Sequence, residues 1–136
     1  MFLQDLIEDE KAAFLELAHQ VAQADGILSE AEDALIAAFA REMDIPAHAL
    51  VPSGERAEKD IGELTAVFRS ETSRKIAFME LLALTLSDNV YSPEEKTLLN
   101  KIRIGFGFDE THYEKCKAWV RKINEVYREG RTLVYG

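Results

Sequence analysis

Residues 76–86 read Ile-Ala-Phe-Met-Glu-Leu-Leu-Ala-Leu-Thr-Leu and form the longest apolar stretch of the chain. Its single charge is Glu80, so a helix built from it is apolar on nearly every side. Such a helix is usually surrounded by other helices. The stretch is also far shorter than the roughly 20 apolar residues that cross a bilayer. It therefore predicts a helix at the centre of a bundle.

Length and composition agree with one globular domain. The chain has 136 residues, 47% of them hydrophobic and 30% charged, which is ordinary for a globular domain. Seven glycines and three prolines leave few tight turns for a β-sandwich or barrel. A single cysteine, Cys116, excludes an internal disulfide framework and a Cys-rich zinc site.

Helical periodicity continues on both sides of the central segment, and no segment alternates with period two. The prediction is an all-α fold: one domain over 1–136, built as a compact bundle of six to seven helices. Before the central helix, the sequence predicts a long first helix from Leu3 that ends at Asp25–Gly26, a helix from Ser29 to Met43, and a helix from about Glu55 to Arg69. After it, the sequence predicts a helix from Ser92 that Gly105 and Gly107 break, and a last helix from Asp109 that Gly130 ends. An extended tail is predicted over 131–136.

The turn after the central helix, Asp88–Glu95, repeats an earlier segment, Asp25–Glu32, with one constant offset in the numbering. In each copy a serine stands where a helix N-cap is expected, and a glutamate three residues later completes a capping box. The chain is therefore predicted to hold two helix–turn–helix halves, about 12–50 and 75–113, related by a pseudo-twofold axis. The identical pairs are Asp25 with Asp88, Ser29 with Ser92, Glu32 with Glu95, and Leu35 with Leu98.

The segment Ala24–Glu32, after an amphipathic helix, resembles the signature of the TerB-like (tellurite-resistance) family. Asp88–Glu95, followed by Lys-Thr-Leu-Leu, resembles its second copy, with Asn89 where the first copy has Gly26. The resemblance covers roughly residues 11–108. It implies a compact all-helical domain with internal pseudo-symmetry, a bacterial role in tellurite or chemical-stress resistance, and metal binding by the family's acidic residues.

Four carboxylates of the repeated turns form the candidate metal site: Asp25, Asp88, Glu32 and Glu95. Carboxylate oxygens suit calcium, magnesium and manganese, and they also bind zinc. If the twofold axis brings the turns together, the four groups converge. The alternative, which we favour at this stage, is structural, because both glutamates can be occupied by helix capping. The aspartates are then the better candidates for first ligands.

Other candidate sites carry less weight. In an EF-hand register, loop positions one and three would be Val21 and Gln23, neither of which is a carboxylate. His112 and Cys116 share a helix face, but we expect Cys116 to be a buried, inert thiol. The Gly-Phe-Gly-Phe segment over 105–108 lacks the context of a phosphate loop.

The net charge of −9 argues against nucleic acid and anionic lipid as partners. The early acidic residues Asp5, Glu8, Asp9 and Glu10 do not resemble a signal peptide, so a cytoplasmic location is expected, with this cluster as a solvated face.

The functional expectation is a non-enzymatic stress-response domain that acts by binding an unidentified protein partner, with or without a metal ion at the acidic turns. The alternatives are a metal-binding or metal-buffering protein in its own right and, less favoured, a small metal-dependent enzyme. No nucleophile–base pair or cofactor motif in the sequence supports the enzyme. The sequence does not set the oligomeric state.

Overall fold

The computed structural model describes residues 1–26, 30–46, 59–87 and 91–136. All regular secondary structure in these ranges is helical, which confirms the all-α prediction for the described part of the chain. The elements are a 3-10 turn at Leu3–Asp5 and the helices α1 (Glu8–Ala22), α2 (Glu30–Glu42), α3 (Ile61–Ala66), α4 (Glu71–Thr85), α5 (Pro93–Phe106) and α6 (Glu110–Tyr135).

Helix α4 lies at the centre, as residues 76–86 predict. It packs against α1, α2, α5, α6 and the 3-10 turn. The side chains of Phe78, Leu81, Leu82 and Leu84 are completely buried. A helix that contacts neighbours on every side has no face left for polar residues, which explains its nearly continuous apolar sequence.

Short polar side chains begin four of the described helices, and at α3 Asp60 Oδ2 accepts a hydrogen bond from the Glu63 amide (3.2 Å). Ser70 Oγ accepts a hydrogen bond from the Ser73 amide (3.0 Å), and Ser92 Oγ accepts one from the Glu95 amide (3.1 Å). Asp109 Oδ1 accepts one from the amide of His112 (2.8 Å). These bonds satisfy amides that have no partner within the helix. The predicted caps at Ser92 and Asp109 are confirmed, whereas Ser29 lies outside the described residues.

The prediction of one continuous first helix from Leu3 is wrong. The chain forms a 3-10 turn, is extended at Leu6 and Ile7, and only then enters α1. Glu10 stabilises this break, because its carboxylate accepts hydrogen bonds from the amides of Ile7 (3.2 Å) and Arg69 (3.0 Å). Glu10 is consequently buried, so its assignment to a solvated acidic face is also wrong.

Helix α5 continues through Gly105, contrary to the prediction that this glycine breaks it. A Cβ atom at Gly105 would lie 2.8 Å from Thr65 Oγ1, so the glycine permits close approach of α3 and α5. The helix ends at Gly107, whose φ of +84° favours glycine. Helix α3 itself is shorter than predicted, and the predicted start near Glu55 lies outside the described residues.

Helix α6 contradicts the predicted stop at Gly130 and the predicted extended tail. It runs to Tyr135, and from Glu125 onward every residue except Gly130 is exposed. One glycine costs a helix only about 1 kcal/mol relative to alanine, and no proline follows it to end the helix.

None of the helices in the described ranges combines the length and the apolar character that a membrane span requires.

Candidate functional site

Two carboxyl groups lie close together in the interior. Glu32, in the first turn of α2, and Glu95, in the first turn of α5, are each only 2% exposed. These are equivalent positions in the repeated turns of the sequence. The charge of Glu32 acts directly on the Glu95 carboxyl, so the described structure brings together two of the four predicted metal ligands.

The proximity of the two carboxyl groups changes the pKa of Glu95. Burial, followed by the charge of Glu32, raises the pKa of Glu95 to about 7, although hydrogen bonds from Ser92 partly oppose the shift. Two adjacent buried carboxyl groups resist carrying two negative charges. The pair therefore keeps a proton to a higher pH than an isolated glutamate does.

One oxygen of Glu95 accepts no hydrogen bond in the described part of the chain, although the Glu32 carboxyl is close to the Glu95 side chain. Glu95 Oε2 is fully buried and makes no hydrogen bond there. Leaving a buried polar atom unsatisfied costs about 1–3 kcal/mol. A cation beside this oxygen would remove that cost, so the chemistry of the pair fits a hard metal ion.

Of the two predicted aspartate ligands, only Asp25 lies in the described part of the chain. Asp25 is half-buried in the turn after α1, next to Gly26, whose φ is +82°. Asp88 lies outside the described residues. Within the described ranges, no three His, Cys, Asp or Glu side chains form a group that could hold a metal ion. This includes Asp25, Glu32 and Glu95 taken together, so the four-carboxylate site remains a prediction.

A pair of tyrosines adjoins the carboxyl pair and was not among the predicted site residues. The hydroxyl oxygens of Tyr91 and Tyr113 lie 2.9 Å apart and link the start of α5 to α6. Burial and the Tyr113 hydroxyl raise the pKa of Tyr91, and the charge of Glu95 contributes. The sequence offered one indication of this pair, because Tyr91 lies inside the second repeated turn.

Glu80 is a second residue whose role was missed. Its side chain is buried on α4, and its Oε2 lies 3.2 Å from the α-ammonium of Met1, which also lies 2.7 Å from Glu42 Oε1. Burial raises the pKa of Glu80. The signal was the lone charge in residues 76–86, because a charged group on a central helix needs a partner.

The predicted burial of Cys116 is confirmed. The thiol is 4% exposed, and its Sγ lies 3.4 Å from His112 Nε2. Burial raises the pKa of Cys116 and lowers the pKa of His112. Both shifts favour the neutral thiol and the neutral imidazole, whereas a cysteine nucleophile needs a thiolate.

Comparisons of the chain with protein-family models, with curated proteins and with solved structures gave no significant match. The resemblance to the TerB-like family therefore rests on the repeated acidic turns of the sequence.

Proposed function

We propose that this protein is a non-enzymatic bacterial stress-response domain of the TerB-like type, and that its buried carboxyl pair binds a divalent cation. The observation that carries the proposal is the convergence of Glu32 and Glu95. Both are 2% exposed, and Glu95 Oε2 makes no hydrogen bond in the described structure.

Glu32 and Glu95 would supply the buried oxygen ligands, and Asp25 and Asp88 would complete the set from the turns. A divalent cation favours the ionised form of nearby carboxyl groups, so it would take the place of the proton that Glu95 holds at neutral pH. Calcium, magnesium and manganese match this all-oxygen chemistry, and zinc is the fourth ion to test.

The positions of the helices support the proposed internal duplication. Helices α1 and α4 begin at Glu8 and Glu71 and end at Ala22 and Thr85, so both boundaries are shifted by the same amount as the repeated turns. Helices α2 and α5 begin at Glu30 and Pro93, which is the same offset. We therefore propose that the two halves pack about a pseudo-twofold axis with the carboxyl pair between them.

Thermal melting with added calcium, magnesium, manganese or zinc tests cation binding. A bound ion raises stability by about 2.7 kcal/mol at a hundredfold excess over Kd. We expect one of the ions to stabilise the wild type and Glu94→Gln, and to have no effect on Glu95→Gln. Glu94 is the matched control, because it is the exposed neighbour on the same helix turn and the substitution removes the same charge.

Asp25→Asn and Asp88→Asn then test the remaining ligands. Asparagine keeps the shape of the side chain but removes its charge, so both substitutions should weaken the stabilisation. A shift that Glu95→Gln retains would place the ion elsewhere. The absence of a shift with all four ions would leave the carboxyl pair without a cation-binding role and overturn the proposal.

A second candidate function, binding of a protein partner, is favoured by helix α6. Val126 is 58% exposed, and Leu133 is 88% exposed. Apolar side chains of this size on one exposed helix face are typical of a contact surface.

A further inference from the structure

Helix α6 carries a line of large apolar side chains that the described part of the chain covers only in part. Trp119, Val126 and Leu133 follow one another at seven-residue spacing, which places them on one helix face. Their exposed fractions rise along the helix, from 38% through 58% to 88%. Phe2 lies against Trp119, with ring centroids 6.2 Å apart, and covers only part of it.

We propose that two copies of the chain pair through this face, with their α6 helices antiparallel and Val126 on the twofold axis. The proposal deepens the protein-binding candidate by naming the partner, and so it rests on that candidate. It does not depend on cation binding by Glu95.

The antiparallel register matches large side chains to open space. Residues at equal distances on either side of Val126 face each other across the axis, so Trp119 meets Leu133 of the partner subunit. Ile123 lies three residues before Val126 and Gly130 lies four after it, so in the antiparallel pair Ile123 is nearly level with Gly130 of the partner subunit. A Cβ atom at Gly130 would have no neighbour within 4 Å, so that position has room for a large apolar side chain.

Charge complementarity favours this register over a parallel one. Lys122 and Glu129 flank the apolar line on the same side, and both are exposed. In the antiparallel pair, Lys122 of each copy lies beside Glu129 of the partner subunit, so two pairs of opposite charges form. A parallel pair would set each residue against its own like charge, which is unfavourable.

The same charges argue against an anionic membrane as the occupant. The charged residues that border the apolar line are Lys122, Glu125 and Glu129, so this border is net acidic. Arg121 and Arg128 lie on the opposite side of the helix, given a rotation of about 100° per residue. An amphipathic helix that binds anionic lipid carries its basic residues beside its apolar face.

The size of the interface predicts a weak dimer. Two such helix faces bury about 1,000 Å² in total, which is near the lower limit for a specific interface. We therefore expect a reversible equilibrium that shifts with protein concentration, without a permanently assembled dimer.

Sedimentation equilibrium of the full chain over a hundredfold range of concentration tests the proposal. The mass should rise from 15.4 kDa toward twice that value. Leu133→Glu should keep the chain monomeric throughout, and because Leu133 is 88% exposed this change should not disturb the fold. Circular dichroism verifies that the helix content is unchanged.

A charge-swap cycle tests the register. Lys122→Glu and Glu129→Lys should each weaken dimerisation at least tenfold, and the double variant should restore it. Arg128→Glu makes the same charge change as Lys122→Glu on the opposite face and should have no effect. A wild type that remains monomeric at every concentration would overturn the proposal, as would a double variant no better than the single ones.

Binding to anionic vesicles by a chain that stays at 15.4 kDa, with loss of that binding in Leu133→Glu, would assign the face to a membrane and overturn the proposal. Failure of dimerisation would leave the melting experiments on Glu95→Gln unaffected, so the two proposals fail separately.

Discussion

The buried carboxyl of Glu95 couples folding stability to pH. Its pKa is about 7 in the folded chain, against an ordinary value of 4.5. Between these values the unfolded chain has released the proton while the folded chain still holds it. The stability from this group is therefore complete below about pH 4.5 and is lost as the pH rises through about 7. Each pKa unit corresponds to about 1.4 kcal/mol, so the total is at most about 3–4 kcal/mol.

Urea unfolding between pH 4.5 and pH 8, in the presence of a chelator, measures this effect. Glu95→Gln should lose less stability than the wild type across that range, because glutamine has no proton to release. Glu94→Gln should follow the wild type. Burial also raises the pKa of Glu80, so the difference between wild type and Glu95→Gln isolates the contribution of Glu95. Identical pH profiles for these two chains would contradict the coupling.

The serine caps give a second prediction at the scale of single residues. Ser92→Ala removes the 3.1 Å hydrogen bond to the Glu95 amide and should cost about 1 kcal/mol of unfolding free energy. The repeated sequence predicts a similar loss for Ser29→Ala. Thr111→Ala, at an exposed position in the first turn of α6, is the control. Losses no larger than that of the control would mean that the serines do not stabilise their helices.

At the scale of helices, two glycines inside helices should respond in opposite ways to alanine. A Cβ atom at Gly105 would lie 2.8 Å from Thr65 Oγ1, within the contact between α3 and α5. Gly105→Ala should therefore destabilise the chain by about 1–3 kcal/mol. Gly130 has open space around it, so Gly130→Ala should stabilise α6 by up to about 1 kcal/mol.

Thermal or urea unfolding of both variants checks this, at concentrations low enough to keep the chain monomeric. Stabilisation by Gly105→Ala would show that α3 and α5 do not approach as closely as the structure indicates.

The helix boundaries that the sequence predicts correctly are those fixed by residues close together in the chain. The caps at Ser92 and Asp109 depend on residues three positions apart, so the sequence alone identifies them. Gly105 and Gly130 resembled stops, but the cost of a helical glycine is small and surrounding structure overrides it. The role of Glu10 was hidden because its partner, the Arg69 amide, is distant in the sequence.

At the candidate site too, the sequence predicts what depends on local spacing and misses what depends on packing. The repeated turns predict that Glu32 and Glu95 occupy equivalent positions, and the structure places both in the interior. Their burial, and with it the raised pKa of Glu95, depends on how α2 and α5 pack and is not encoded in local spacing. The hydrogen bond between Tyr91 and Tyr113 likewise joins residues that only the fold brings together.

At the scale of the whole molecule, internal duplication predicts that α1–α2 superposes on α4–α5 with the same order of helix, turn and helix. The basis for this expectation is the constant offset between the helix starts, from Glu8 to Glu71 and from Glu30 to Pro93. An experimental structure would test it, together with the position of Asp88 relative to the carboxyl pair. Halves that superpose only with a different helix order would contradict the duplication.

We propose that a divalent cation replaces the proton that the buried pair of Glu32 and Glu95 holds. A carbon-13 NMR titration of the glutamate side-chain carboxyls, with Glu95→Gln to assign the resonance, tests it most directly. We expect a pKa of about 7 for Glu95 without metal. We also expect that the ion that raises the melting temperature moves this pKa well below 7. A pKa near the ordinary value of 4.5 without metal would mean that the pair holds no proton at neutral pH. A pKa that no added ion changes would mean that no cation replaces that proton.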